Sequence, residues 1–280
     1  MSSITASTTR DSAQSTTSVP FTATLASEWT KLVTVRSTWI TLALAAILSI
    51  GVTALFAWVT GWSWGEWTES DKASFNPIEF SLVGTIFASI LLVVLGVNMV
   101  ASEYSSGMMR LTMTVTPQRG RVLMAKVIVV TAVTIVAGLI IAISTFLVAQ
   151  WIFGAYDMRT ASLGDWDAFR TIVLGVTLTG PVFPILGVAM AFLFRSTAIA
   201  ITSVLALIFA PAFFGPVLPR RWQEDVLAYL PGPVSDSVAI SHLDPDYPMY
   251  IDPALAVVVL VGWLVLFVGG SWMALNRRDV

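Results

Sequence analysis

The stretch EYSSGMMRLTMTVTPQRGRVLMAK, Glu103 to Lys126, holds four basic residues (Arg110, Arg119, Arg121 and Lys126) and one acid, Glu103. The apolar runs on either side carry almost no charge. Such a break marks the place where an oily chain leaves one solvent for another.

The rest of the chain fixes what that solvent is. Of 280 residues, 56% are hydrophobic and 11% charged, against about 25% charged in a soluble domain. The composition is that of an integral membrane protein. A net charge of −2, with the basic residues spread along the chain, gives no footprint for nucleic acid. There are no cysteines, which excludes a disulfide framework, a thiol nucleophile and a Cys-ligated metal. A single histidine, His242, excludes a His-based metal cluster within one chain.

Six apolar runs reach the roughly 20 residues a bilayer requires. They lie near Thr38–Val59, Phe80–Val100, Val127–Phe153, Thr171–Phe194, Ala198–Leu218 and Pro253–Leu275. Pro211 and Pro216 remove backbone donors from the far end of the fifth, so that end is expected to unwind or turn. With the N-terminus inside, ten Lys and Arg fall on the inner side and five on the outer. This asymmetry puts both termini in the cytoplasm. Trp58, Trp62, Trp64 and Trp67 gather where the first span would leave the outer face, as an aromatic belt does.

Residues 1–20 are rich in Ser and Thr, have no apolar core of a signal peptide, and are expected to be a disordered cytoplasmic tail. Residues 21–280 form the membrane domain. In its first part, 21–36, Phe21, Leu25, Trp29, Leu32 and Val33 recur at helical spacing, with Thr24, Glu28, Lys31 and Thr34 on other faces. That pattern predicts a helix lying in the inner interface. The outer segment 219–252 contains Trp222, Val226 and Tyr229 at helical spacing, which predicts a short amphipathic helix ended by Pro231-Gly232. The second half, SHLDPDYPMYIDP, has three prolines and reads as irregular loop.

The missing chemistry narrows the function. No ionisable side chain lies in the middle of any run, which disfavours a gradient-driven transporter and a membrane hydrolase. Lys31, Lys72 and Lys126 follow Thr30, Asp71 and Ala125, so no Gly-Lys-Ser/Thr loop for nucleotide exists. The outer acids fit no EF-hand spacing and read as solvated loop.

Within Glu103–Lys126, Ser105-Ser106-Gly107 can end a helix. Met108 to Val115 then makes one or two turns with Met108, Leu111 and Val115 on one face. Thr116-Pro117 can cap and restart a helix that carries Arg119, Arg121 and Lys126 to the membrane. An ordinary positive-inside loop accounts for the charges. It does not account for the apolar face beside them, which suggests that something docks there.

Glu103, Gly107, Pro117, Arg121 and Lys126 fall in the order Glu-x3-Gly-x9-Pro-x3-Arg-x4-Lys. This resembles the pattern of ABC-2 type permeases, the membrane subunits of ATP-binding-cassette exporters. The order of parts is similar over Phe21 to Arg278, including YLPG (Tyr229–Gly232) before the last span. Two positions depart from the pattern: Met113–Val115 replace a frequent Leu-Leu, and Tyr104 replaces a common basic residue. The resemblance implies two permeases, identical or related, over two ATP-binding subunits in the plasma membrane. ATP and magnesium would be held by those subunits, with no cofactor in this chain. It makes 101–126 a coupling loop, with Glu103, Gly107, Met108, Arg110, Leu111, Pro117, Arg121 and Lys126 as coupling residues. It makes Gly180, Pro181 and Pro184 a candidate gating hinge, since Pro and Gly free backbone groups; a static kink made for packing reads the same residues equally. The apolar spans suit a hydrophobic or amphipathic cargo. The competing assignment is a membrane scaffold or immunity protein that transports nothing, and a P-loop ATPase encoded beside the chain would separate the two.

Overall fold

The computed structural model describes residues 20–115, 118–239 and 246–277. The expected tail (residues 1–19), the Thr116-Pro117 restart, His242 and the last three residues lie outside these. Among the described residues every regular element is helical. Six helical stretches are long and apolar enough to cross a membrane: Arg36–Glu66, Thr85–Ser105, Arg119–Ala155, Trp166–Phe194, Thr197–Val217 and Pro253–Arg277. They are numbered here as spans one to six. Six crossings bring Phe21 and Arg277 to the same end of the bundle.

The third span starts eight residues before the expected Val127. At 1.5 Å per residue its 37 residues extend about 55 Å, well beyond the roughly 30 Å of a hydrocarbon core. Its first two turns stay packed in the bundle: Val122, Leu123, Ala125 and Lys126 are buried, and Gly120 lies against Trp272 of the sixth span.

Small residues hold the spans together, as expected where lipid removes the hydrophobic incentive for large ones to pair. On the first span Ala45, Ser49, Thr53, Ala57 and Gly61, four apart, make the buried stripe, while Ile47, Leu55, Trp58 and Trp62 point outward. Thr53 Oγ1 accepts from the Gly84 N–H at 3.1 Å. The second and fourth spans approach so closely that a Cβ on Gly96 would stand 2.5 Å from the Pro184 carbonyl oxygen. Around that contact lies the main core, with Val93, Val97, Leu186, Val188 and Phe192.

The fourth span is interrupted where its sequence predicts a weak point. It opens as α-helix, widens to a π-turn over Arg170–Gly175, and returns to α over Val176–Thr179. Regular helix then lapses at Gly180-Pro181 and resumes over Val182–Phe194. Pro181 and Pro184 have no N–H, so the carbonyls of Thr177 and Gly180 lose their usual helical donors. The fifth span behaves differently from its expectation. Its helix passes through Pro211 to Phe214, and a 3-10 turn at Gly215–Val217 ends it beside Pro216.

The end opposite the termini brings two corrections and one addition. The tryptophans do not form one belt. Trp58 and Trp62 are exposed, but Trp64 and Trp67 turn inward onto Phe75, with Phe153 beyond it. The expected amphipathic triple Trp222, Val226 and Tyr229 is exposed, and Leu227 and Ala228 are the residues that bury. Between Pro231-Gly232 and Ser241 the sequence predicts no element. Pro231 starts a further helix, Pro231–Ala239, whose Pro233, Val234, Ser235, Ser237 and Val238 pack into the bundle. Proline suits that first position because its missing N–H has no intrahelical partner there. A Cβ on Gly232 would lie 3.8 Å from the Leu207 oxygen, the carbonyl that Pro211 leaves without a helical donor. The helix thus packs against the fifth span where proline has freed a backbone oxygen.

Candidate functional site

The helix Phe21–Thr34 is separated from the first span by Val35, in extended conformation, and the Trp39 indole N–H donates to the Val33 carbonyl across that break at 2.8 Å. Its buried face is mixed in polarity. Thr24, Glu28 and Leu32, four apart, are buried against the bundle, whereas Trp29 is 47% exposed. Turned inward, the Glu28 charge gains a partner. Leu32 reaches Leu95, Val129 and Val133.

Glu28 and Lys31 thereby meet Glu103, in the last turn of the second span, and Lys126, in the third. Lys126 is 0% exposed, Glu28 1% and Glu103 6%. An ammonium has three donors and no acceptor. All three of Lys126 are used: on Glu28 Oε2 at 2.6 Å, Glu103 Oε1 at 2.8 Å and the Met99 carbonyl at 3.1 Å. Lys31 donates to Glu28 Oε1 at 2.7 Å, Glu103 Oε1 at 2.9 Å and Thr112 Oγ1 at 3.5 Å. Two lysines and two glutamates close a formally neutral quartet. Burial alone would depress the Lys31 ammonium, but hydrogen bonds and charge from Glu28 and Glu103 outweigh it and leave its pKa raised. Buried charges are tolerated when paired, and removing one partner is costly; Glu103 Oε2 is the one carboxylate oxygen of the quartet with no hydrogen bond among the described residues.

The short helix Met108–Val115 follows a left-handed turn at Gly107 (φ 72°), a conformation open to glycine. Met109, which the helical spacing did not single out, is its anchor and lies in the main core. Thr112 binds Lys31 from the same helix. Met108 and Leu111 are left outside, with Leu111 66% exposed, and Arg110 is exposed beside them. The Val115 side chain and Pro117 lie outside the described residues.

The coupling candidates therefore separate into two groups. Met108, Arg110 and Leu111 face outward and are free to touch another chain. Glu103 and Lys126 face each other inside this one. Arg121 is half-buried. Arg119, above it, donates to the Leu275 carbonyl and ties the third span to the sixth. Arg195, in left-handed conformation after the fourth span, holds its guanidinium 5.4 Å from the centroid of the Tyr104 ring. Gly180, Pro181 and Pro184 sit in the fourth span, away from the quartet.

Glu28 is the residue that amphipathic spacing missed. A signal was available: among described residues the end with the termini has two acids, Glu28 and Glu103, and both are in the quartet. A family model described as ABC-2 family transporter protein matches residues 24–211, from the start of the quartet's first helix to the proline of the fifth span. No curated protein matches the chain.

Proposed function

The chain belongs to the ABC-2 family of transporter membrane proteins, and on that premise we propose that it is the permease of an ATP-driven exporter. The family member is the membrane subunit and not itself an ATPase. Two such permeases, over two ATP-binding subunits that hold ATP and magnesium, would make the working unit. The termini and the helix Met108–Val115 would then lie in the cytoplasm, and the bundle in the plasma membrane. The cargo would be hydrophobic or amphipathic, in keeping with the apolar spans.

The observation that carries this proposal is the exposed apolar pair Met108 and Leu111 on a short helix fastened to the base of two spans. Met109 fixes that helix in the core, and Thr112 joins it to the quartet. A push on Met108–Val115 is transmitted through Lys31, Glu103 and Lys126 to the second and third spans and to the helix Phe21–Thr34. The interruption at Gly180-Pro181 gives the fourth span a place to bend. ATP binding on the partner would bias a bundle with two packings, which is how local contacts produce large transitions.

The test is co-purification in mild detergent. Leu111→Asp removes an apolar contact worth about 1.5–3 kcal/mol when buried and places a charge there. A loss above about 3 kcal/mol is more than a hundredfold in affinity. The variant should lose the ATP-binding subunit while the bundle stays folded. Glu103→Gln should keep the subunit and lose transport-linked ATP turnover, because it alters the quartet and not the docking face. Normal assembly and transport in Leu111→Asp would overturn the docking role and favour a loop that only sets orientation.

A further inference from the structure

A second feature lies at the other end of the bundle. A cavity of about 370 Å³ runs inward between the second, third and fourth spans and the helix Pro231–Ala239. Its size is that of a small-ligand site. Leu82, Ile141 and Phe183 are among its apolar walls, and no Lys, Arg or His is among the described residues that line it. Its charged groups are carboxylates, which only accept, and its hydroxyls can accept as well. Asp236 is the exposed residue of its helix and opens onto this space, with no hydrogen bond or ion pair among the described residues. Ser235 beside it is 6% exposed and also lines the cavity, and its Oγ has no partner among the described residues. Ser89 and Thr179 have given their protons to the Thr85 and Gly175 carbonyls, so they offer lone pairs only. Glu79 adds a second carboxylate at the rim, accepting from Asn76.

An acceptor-lined, negatively charged space with apolar walls selects its occupant. A metal ion is a poor fit, because no group of three or more His, Cys, Asp or Glu side chains converges among the described residues. Divalent ions also need several oxygen ligands at once. A single positive charge on an apolar body satisfies every wall.

We infer that this cavity binds a monovalent organic cation, an amine-bearing amphiphile whose ammonium sits against Asp236 and Ser235 and whose body lies along Phe183 and Ile141. This deepens the permease proposal and rests on it, since it names a class of cargo. The cavity also touches Thr179, Gly180 and Pro184, so an occupant would press on the interrupted part of the fourth span. The protein packed around the Asp236 carboxyl, which stays reachable through the cavity, raises it to about 6, and a bound ammonium would favour its ionised form.

The experiment uses the full chain in nanodiscs of zwitterionic lipid, without any ATP-binding subunit. Octylammonium and 1-octanol are compared by calorimetry at pH 7.5, so that the two probes differ in the charged head alone. Octylammonium should bind at least about tenfold more tightly than octanol, the range of one charge-assisted hydrogen bond. Asp236→Asn should remove that margin and leave octanol unchanged, which also shows that the variant is folded. Asp236→Glu should keep most of it. Equal binding of the two probes, or an undiminished margin in Asp236→Asn, would overturn the inference. The co-purification assay is separate: its failure with the ammonium margin intact would sink the permease proposal and leave the cavity's chemistry standing.

Discussion

Replacing Lys126 with Met tests whether the quartet is a structural unit. The side chain is 0% exposed and makes three hydrogen bonds, two of them to carboxylates at 2.6 and 2.8 Å. Met fills nearly the same volume, so packing changes little. Charge changes a great deal. Glu28 and Glu103 are left to share Lys31, and the cluster carries one uncompensated negative charge. Breaking a buried pair in this way costs about 3–5 kcal/mol. Adding Glu28→Gln restores neutrality, because Lys31 and Glu103 remain as one pair. The double variant should therefore be more stable than Lys126→Met alone by about 1–3 kcal/mol, although it carries a further change. The assay is unfolding by dodecyl sulfate from mild-detergent micelles, followed by the fluorescence of the eleven tryptophans. Added salt should leave the difference intact, since buried charges are poorly screened. A loss within about 1 kcal/mol for Lys126→Met, or a double variant that loses the sum of the two single changes, would refute the reasoning.

Three other outcomes are expected. The raised carboxyl of Asp236 holds its proton more tightly in the folded than in the unfolded chain, so its share of stability is full below the ordinary carboxylate range and is lost as pH rises through about 6. Asp236→Asn should raise the unfolding midpoint at pH 7.5 but not at pH 4, and an equal shift at both would count against it. Gly96→Ala, whose Cβ would stand 2.5 Å from the Pro184 oxygen, should cost about 1–3 kcal/mol in the same titration. Gly262→Ala, with nothing within 4 Å, should cost almost nothing. For the proposed orientation, single cysteines at Ser70 and Ser162 should react with an impermeant thiol reagent in intact cells, and one at Ser106 should not; labelling at Ser106 reverses the topology.

Much of the bundle was legible because hydrocarbon length and loop charge leave direct marks in sequence. The six spans, the turn at Gly107 and the interruption at Gly180-Pro181 each follow from a residue property that acts locally. What stayed hidden depends on contacts from elsewhere in the chain. Amphipathic spacing places Glu28 off the apolar side, and its burial follows from Lys126, a partner 98 residues further along the chain. The helix Pro231–Ala239 was hidden for a related reason. Its two prolines, glycine and two serines carry no helical periodicity, and it is helical where neighbouring spans bury Val234 and Val238. The π-turn at Arg170–Gly175 carries no residue signature at all.

The quartet also imposes an order on the making of the protein. Glu28 and Lys31 leave the ribosome first, and Lys126 only after two further spans have been made. Until then Glu103 adds a second carboxylate to a site with one lysine. The helix Phe21–Thr34 is thus synthesised well before it is secured. A nascent chain ending before residue 126 should leave that helix open to protease, and extension beyond Lys126 should protect it. Residue 126 acts as a completion mark: the oldest part of the protein is clasped to the rest only when the third span has arrived.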